Sequence, residues 1–284
     1  RTLRLSYLTA GLSWTVDYFG EVNAAEDKLL LSAKATIHNA SGKDYEEAAV
    51  TLAAGTVNTV APPQPPAVRK RAAMEAEMVM MAAPAPQAEA MADLQFYPLD
   101  RPLTLKDGDQ ARRHLIAPRS IACERKYHYR ANRHPDQVTT AVNFVNDTAA
   151  GLDKPLPAGS WRLYRRTDKG LRYIGADQRP AATRNQEITL ELGQAFDLHA
   201  KRRVLQRRKL SARSEEQRVE IKLSNGKESG EVKIAVEEQM GRGQWEVTQS
   251  SLPPERKDAD TLAFEVPVPA GSETVLTYTV VRRW

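Results

Sequence analysis

Residues 28–37 read KLLLSAKATI, and Leu29, Leu31, Ala33, Ala35 and Ile37 fall at every second position. A period of two sends successive side chains to opposite sides of an extended chain, so this segment has one apolar side and one polar side. That is the pattern of a half-buried strand. It returns at Val219, Ile221 and Leu223, at Val232, Ile234 and Val236, at Leu262, Phe264 and Val266, and at Leu276, Tyr278 and Val280. Turn-forming residues punctuate the runs at 39–44, 168–170, 225–226 and 269–271. Short alternating strands at this spacing predict an all-β chain built of antiparallel β-sandwich domains.

The organisation follows from where the pattern holds and where it breaks. At roughly 150 residues per domain, 284 residues make two domains or three small ones. An N-terminal β region is expected over 1–204, divisible into two modules near residue 131. An immunoglobulin- or fibronectin-like sandwich is expected over 205–284, centred on Trp245 and Tyr278. The polar, cationic run KRRVLQRRKLSAR at 201–213 suits a crossing between the two. The pattern breaks over 61–93, which holds six of the 17 prolines and five of the six methionines. Its Pro/Ala-rich ends read as a flexible insertion. Three alternating runs end in an asparagine before a polar turn, at Asn39, Asn146 and Asn225. This triplet reads either as three related sandwich modules or as one turn that β proteins reuse, since asparagine tolerates the left-handed conformation.

Composition narrows the chemistry. Hydrophobic residues make up 41 % of the chain and charged residues 27 %, enough apolar material for real cores. One cysteine excludes an internal disulfide framework and any multi-cysteine metal site. No apolar run approaches the ~18 residues of a membrane-spanning helix. A net charge of +5 over this length favours acidic partners only mildly.

No familiar reactive constellation appears. The sequence has no Gly-x-Ser-x-Gly elbow, phosphate-cradling loop or dinucleotide fingerprint. Cys123, His128 and His134 lie within twelve residues and are donors that zinc accepts. Alternation argues against them, because Cys123, Arg125, Tyr127 and Tyr129 would share one strand face and His128 the other. The cationic surroundings, ERKYHYRANRH at 124–134, also repel a metal. The adjacent carboxylates Glu46-Glu47, Glu215-Glu216 and Glu237-Glu238 would face opposite ways on strands and cannot work as acid–base pairs. No cofactor is expected.

Two groups remain as candidate binding residues. Met74, Met78 and Met81, at i, i+4 and i+7, would share a helical face and offer a pliable docking surface for a partner. Seven cations fall between Lys201 and Arg213, and Arg202, Arg203, Arg207 and Arg208 are the candidates for a polyanion such as an acidic polysaccharide. No aromatic residue is interleaved, which argues against nucleic acid. The competing reading is a linker or edge strand whose charges block unwanted pairing.

The segments YLTAGLSWTVDYFGEV (7–22), ATIHNASGKDYEEAAVTLAAGTVN (35–58), FYPLDRPLTL (96–105), PLPAGSWRLYR (155–165) and ELGQAFDLHAKR (191–202) resemble the bacterial mucoidy inhibitor A-like proteins. More narrowly, they are similar to the C-terminal domain of unknown function of that group. The resemblance runs from about Leu5 to the end and rests on turns and large aromatics, so it implies no catalytic residues. It does imply a periplasmic or secreted location and a role at the cell envelope. The expected function is therefore a non-enzymatic interaction or scaffold module, its partner another envelope protein. One alternative is a carbohydrate-binding module using Trp14, Tyr18, Trp161, Tyr164 and Tyr173, if those rings are exposed. The other is a hydrolase with a composite site.

Overall fold

A computed structural model describes residues 3–55, 94–152, 154–241 and 243–284. The expected insertion, with Met74, Met78 and Met81, lies outside the described residues. Among those described, every regular element is a strand. The first seven are β1 (Leu12–Val22), β2 (Lys28–Asn39), β3 (Tyr45–Ala48), β4 (Thr51–Ala54), β5 (Gln95–Pro98), β6 (Leu103–Leu105) and β7 (Gln110–Ala122). Then come β8 (Glu124–Arg130), β9 (Gln137–Val145), β10 (Gly159–Thr167), β11 (Gly170–Arg179) and β12 (Glu187–Ser211). The last six are β13 (Ser214–Asn225), β14 (Val232–Gln239), β15 (Gln244–Ser250), β16 (Glu255–Arg256), β17 (Thr261–Val268) and β18 (Ser272–Arg283).

The chain divides into two compact units, Asp44–Thr104 and the remainder. In the smaller unit β4 pairs antiparallel with β5, setting the buried Leu52 opposite the buried Tyr97. The larger unit holds a five-stranded sheet, in the order β11-β10-β1-β2-β7, and a nine-stranded sheet, in the order β15-β18-β13-β12-β9-β8-β14-β17-β16.

Alternation does what the sequence predicts. In β2 the residues Leu29, Leu31, Ala33, Ala35 and Ile37 are all buried. Leu29, Leu31 and Ala33 belong to a core that joins the five-stranded sheet to Val142, Phe144, Ile188 and Leu190 of β9 and β12. At its centre the rings of Tyr18 and Trp161 stack with centroids 4.0 Å apart, and the Tyr18 hydroxyl donates to the Pro157 carbonyl at 2.8 Å. Gly159 has to be glycine here, since a Cβ would lie 2.5 Å from the Val16 carbonyl oxygen. A second core is built on strands of the nine-stranded sheet, where Tyr129, Ile221, Leu223, Ile234, Val266 and Tyr278 are fully buried together with Trp245.

The asparagine triplet proves to be a structural repeat. Asn39, Asn146 and Asn225 are each 0–1 % exposed, and each Nδ2 donates to two carbonyls. Asn39 reaches Lys43 and Leu105, at 2.7 and 3.1 Å. Asn146 reaches Lys154 and Thr183, at 3.2 and 2.9 Å. Asn225 reaches Gly230 and Val268, at 3.2 and 3.0 Å. Asn39 and Asn225 end, and Asn146 directly follows, the second strand of a hairpin: β1–β2, β12–β13 and β8–β9. After a turn with positive φ, at Gly108, Asn185 or Gly271, a later strand returns antiparallel along it: β7 on β2, β12 on β9, β18 on β13.

The modules are laced together. In the two large sheets, two of the described strand pairs are parallel: β10 lies on β1, and β14 lies on β8. In both, a strand that follows one asparagine corner joins the first hairpin strand of the preceding module. The boundary expected at 204/205 falls inside β12, whose ladder to β13 passes through Val204↔Val219 and Gln206↔Arg218. The cationic run is thus one arm of a hairpin rather than a linker. The split expected near 131 falls in the turn between β8 and β9.

Candidate functional site

β8 sends Tyr127 and Tyr129 into the core and turns Lys126, His128 and Arg130 to the opposite face. Its neighbours continue that face. Thr139 and Ala141 of β9 lie opposite His128 and Lys126, and Ala235 and Glu237 of β14 lie alongside His128 and Arg130. Ala263 of β17 sits opposite Glu237, and Glu191 of β12 opposite Ala141. The alanines are short where their neighbours are long, and a groove of about 1450 Å³ opens over the sheet.

The groove's charges are tied to one another across strands. Arg130 Nε meets Glu237 Oε2 at 2.6 Å, and its Nη1 also bonds Glu191. Lys257 Nζ meets the other Glu237 oxygen at 2.6 Å. Lys126 and the Asn143 amide both donate to Glu187 Oε1, at 3.0 and 2.8 Å. At the rim Arg125 holds Glu26 at 2.6 Å. Burial alone would raise the Glu237 carboxyl, but the hydrogen bonds from Lys257 and Arg130 outweigh it and hold the group at about 2. Glu187 is likewise lowered, chiefly by the bond from Asn143 and then by Lys126.

His128 is the exception in this network. It is 7 % exposed, and neither ring nitrogen has a hydrogen-bond partner. Burial lowers its pKa below 6.5, and the neighbouring Arg130 lowers it further against the pull of Glu237. Buried polar groups are normally bonded, so an imidazole left this way on a groove floor marks the spot.

Proton chemistry is poorly served here. A general acid–base pair needs a group poised near neutral pH within bonding reach of another. Glu237 is held ionised, and His128 touches neither carboxylate nor hydroxyl with its ring. Cys123, whose Sγ lies 3.8 Å from the Glu26 carbonyl, is pushed up to about 11 by burial and by Asp27 and Glu26, so it stays a thiol. Among the described residues no three His, Cys, Asp or Glu are grouped to hold a metal ion.

The residues singled out by sequence take varied places. Arg202 turns inward, its Nε 2.9 Å from a carboxylate oxygen of Glu238, which is 4 % exposed and also accepts the Tyr278 hydroxyl at 2.7 Å. Arg203, Arg207 and Arg208 are exposed on β12, and the last two pair with Glu215 and Glu216 of β13 at 3.4 and 3.0 Å. Glu237 and Glu238 do face opposite ways, one to the groove and one to the core. Of the rings proposed for sugar stacking, Tyr18 and Trp161 are buried, Trp14 packs on the core, and Tyr164 meets Tyr173 edge to face. They make no flat exposed row. The groove set of Arg130, Glu191, Glu237 and Lys257 gave no local sequence signal, because its members come from four separate segments.

The family described as Domain of unknown function (DUF4139) matches residues 3–284, and the chain belongs to it. No curated protein matches the chain.

Proposed function

With membership of that family as the premise, we propose that this chain is a non-enzymatic interaction module of a bacterial cell envelope, periplasmic or secreted. In this reading its partner is another envelope protein, and residues 205–284 belong to an immunoglobulin-like sandwich. The resemblance to mucoidy inhibitor A-like proteins supports the location. One observation carries the function: a wide groove among the described residues carries cross-strand ion pairs around an imidazole whose ring nitrogens have no hydrogen-bond partner. Such a face can exchange its pairs with those of a charged partner surface, and complementary charge gives that contact its selectivity. A reacting bond would find no activated nucleophile there. The carbohydrate reading loses its two largest rings to the core.

Site-specific photo-crosslinking in cells tests this reading. A probe at Arg133, exposed on the groove rim, should yield a discrete crosslinked product, whereas one at Lys169 in the β10–β11 turn should not. Equal products at both sites, or none at Arg133, would overturn it. So would hydrolytic turnover abolished by His128→Gln.

A further inference from the structure

Among the described residues, the second half of β12 lacks a neighbour that its counterparts have. Its ladder to β9 ends at His199↔Gln137, with a last backbone bond from the Ala200 amide to the Asp136 carbonyl at 3.5 Å. From residue 201 to 211 it has β13 on one side and, among the described residues, no strand on the other. The equivalent edge of β1 carries β10 in parallel along Asp17–Val22, and that of β8 carries β14 in parallel along Tyr127–Arg130. The repeat gives the register. Leu12 lies opposite Asn39, and β10 covers the positions five to ten residues on. The β8–β9 register, continued to Asn146, sets it opposite position 121, and β14 covers the positions six to nine residues on. Leu198 lies opposite Asn225, so five to ten residues on is 203–208, the segment RVLQRR.

Both occupied seams are fastened by arginine–carboxylate pairs between host and guest. Across β1–β10 the host supplies the acids: Asp17 meets Arg162 at 2.9 Å, and Glu21 bonds Arg166. Across β8–β14 the host supplies the cation: Arg130 meets Glu237 at 2.6 Å. The guests differ to match. β10 carries Arg162, Arg165 and Arg166 and no acid, whereas β14 carries Glu237 and Glu238 against one lysine.

The open stretch of β12 is a host of the second kind. Arg203 has no ion pair among the described residues. Arg207 and Arg208 pair with β13 while their side chains are 62 % and 60 % exposed, and pairs in solvent exchange at little cost. Between them Val204 and Leu205 are 40 % and 49 % exposed. Open edges normally shed apolar residues and keep cations to turn other strands away. Here the cations repel a cationic strand and admit an acidic one, and the apolar pair gives that strand something to cover.

We propose that Arg203–Arg208 of β12 accepts an extended acidic segment of the partner protein as an added parallel strand, repeating between molecules the seam of β14 on β8. Backbone bonds along the edge supply the affinity and the arginines the selectivity. The proposal rests on the reading of the chain as an interaction module but uses a surface distinct from the groove.

Two synthetic peptides that copy the chain's own guests test it: EVKIAVEEQ, residues 231–239, and GSWRLYRRT, residues 159–167. On the purified full chain the acidic peptide should bind saturably with a Kd below about 1 mM, and about tenfold or more tighter than the basic one. The triple variant Arg203→Glu, Arg207→Glu, Arg208→Glu should reverse that preference with circular dichroism unchanged. On the wild-type chain, a nitroxide at the N-terminus of the acidic peptide should broaden the amide signal of Arg203 more than that of Arg208. N-methylation of every second peptide amide keeps the charge and blocks one edge of the added strand, so one of the two phases should weaken binding about tenfold or more. No saturable binding up to about 1 mM overturns the proposal. So does a preference indifferent to the arginine changes, because the peptide then sits elsewhere. Full binding by both methylated phases makes the arginines a site for any polyanion and overturns strand addition. The reverse broadening overturns the parallel arrangement. Crosslinking at Arg133 reads the groove alone, so the two proposals can fail separately.

Discussion

The two faces of β8 hold alternate residues of one seven-residue strand and obey different rules. Tyr127 and Tyr129 face a core of aliphatics and rings, where stability comes from area removed from water and from close packing. Lys126, His128 and Arg130 face a groove, where Lys126 and Arg130 pair with carboxylates from other strands and the imidazole has no hydrogen-bond partner. The contrast teaches that the core face fixes the fold, whereas the groove face is organised beyond what folding needs. Breaking the first should cost stability broadly; breaking the second should change how stability depends on pH.

The largest effect is expected on the core face. Ile234→Ala, at a position with 0 % exposure, should lower the unfolding free energy by about 2–5 kcal/mol in urea titrations. A loss below 1 kcal/mol would mean that this face is loosely packed and would erase the contrast. On the groove face, Glu237→Gln should cost about 2–3 kcal/mol at pH 7, because Arg130 and Lys257 lose their shared anion. The sign with pH is fixed by its depressed value. The unfolded carboxyl takes its proton near 4.5 and the folded one near 2, so the stabilisation is full above 4.5 and is lost as pH falls toward 2. The gap between wild type and variant should close over that window.

His128→Leu sharpens the comparison in another way. It removes two unpartnered buried nitrogens, so at pH 7 its stability should stay within about 1 kcal/mol of wild type. Wild type should lose stability as pH falls through 6.5, because the unfolded imidazole binds a proton that the folded one resists. The leucine variant should lack that slope; an identical slope in both would separate His128 from the groove's electrostatics. The smallest effect belongs to Lys233→Ala. Its pair with Glu265 at 2.9 Å is exposed on both sides, so the denaturation midpoint should not move measurably.

Much of the fold was legible from parity. The alternating apolar positions 29, 31, 33, 35 and 37, and those of the runs at 219–223, 232–236, 262–266 and 276–280, are buried, because a strand's side chains alternate whatever it pairs with. The opposite facing of Glu237 and Glu238 followed from the same rule. The asparagine triplet was visible too, although only its matching hydrogen bonds separate a repeat from a common turn. At 201–213 the sequence left a linker and an edge strand open, because clustered charge suits both, and it placed a domain crossing there. Those residues are instead the far end of a 25-residue strand, and parity turns one of their arginines inward onto Glu238. The groove was illegible for a related reason: Arg130 and Glu237 stand 107 residues apart, and no local pattern announces that they will meet.

By itself, then, the sequence determined which residues seek the dry side of a strand and where the chain turns, since both are set by the alternation of neighbouring side chains and by the backbone freedom of single residues. Only the tertiary structure decided which strands lie together. The parallel contacts of β10 with β1 and β14 with β8, and the gathering of the groove charges, depend on segments brought together from far along the chain. Any alternating strand has edges that can pair with many others, so the choice among them is made by the packing of the whole.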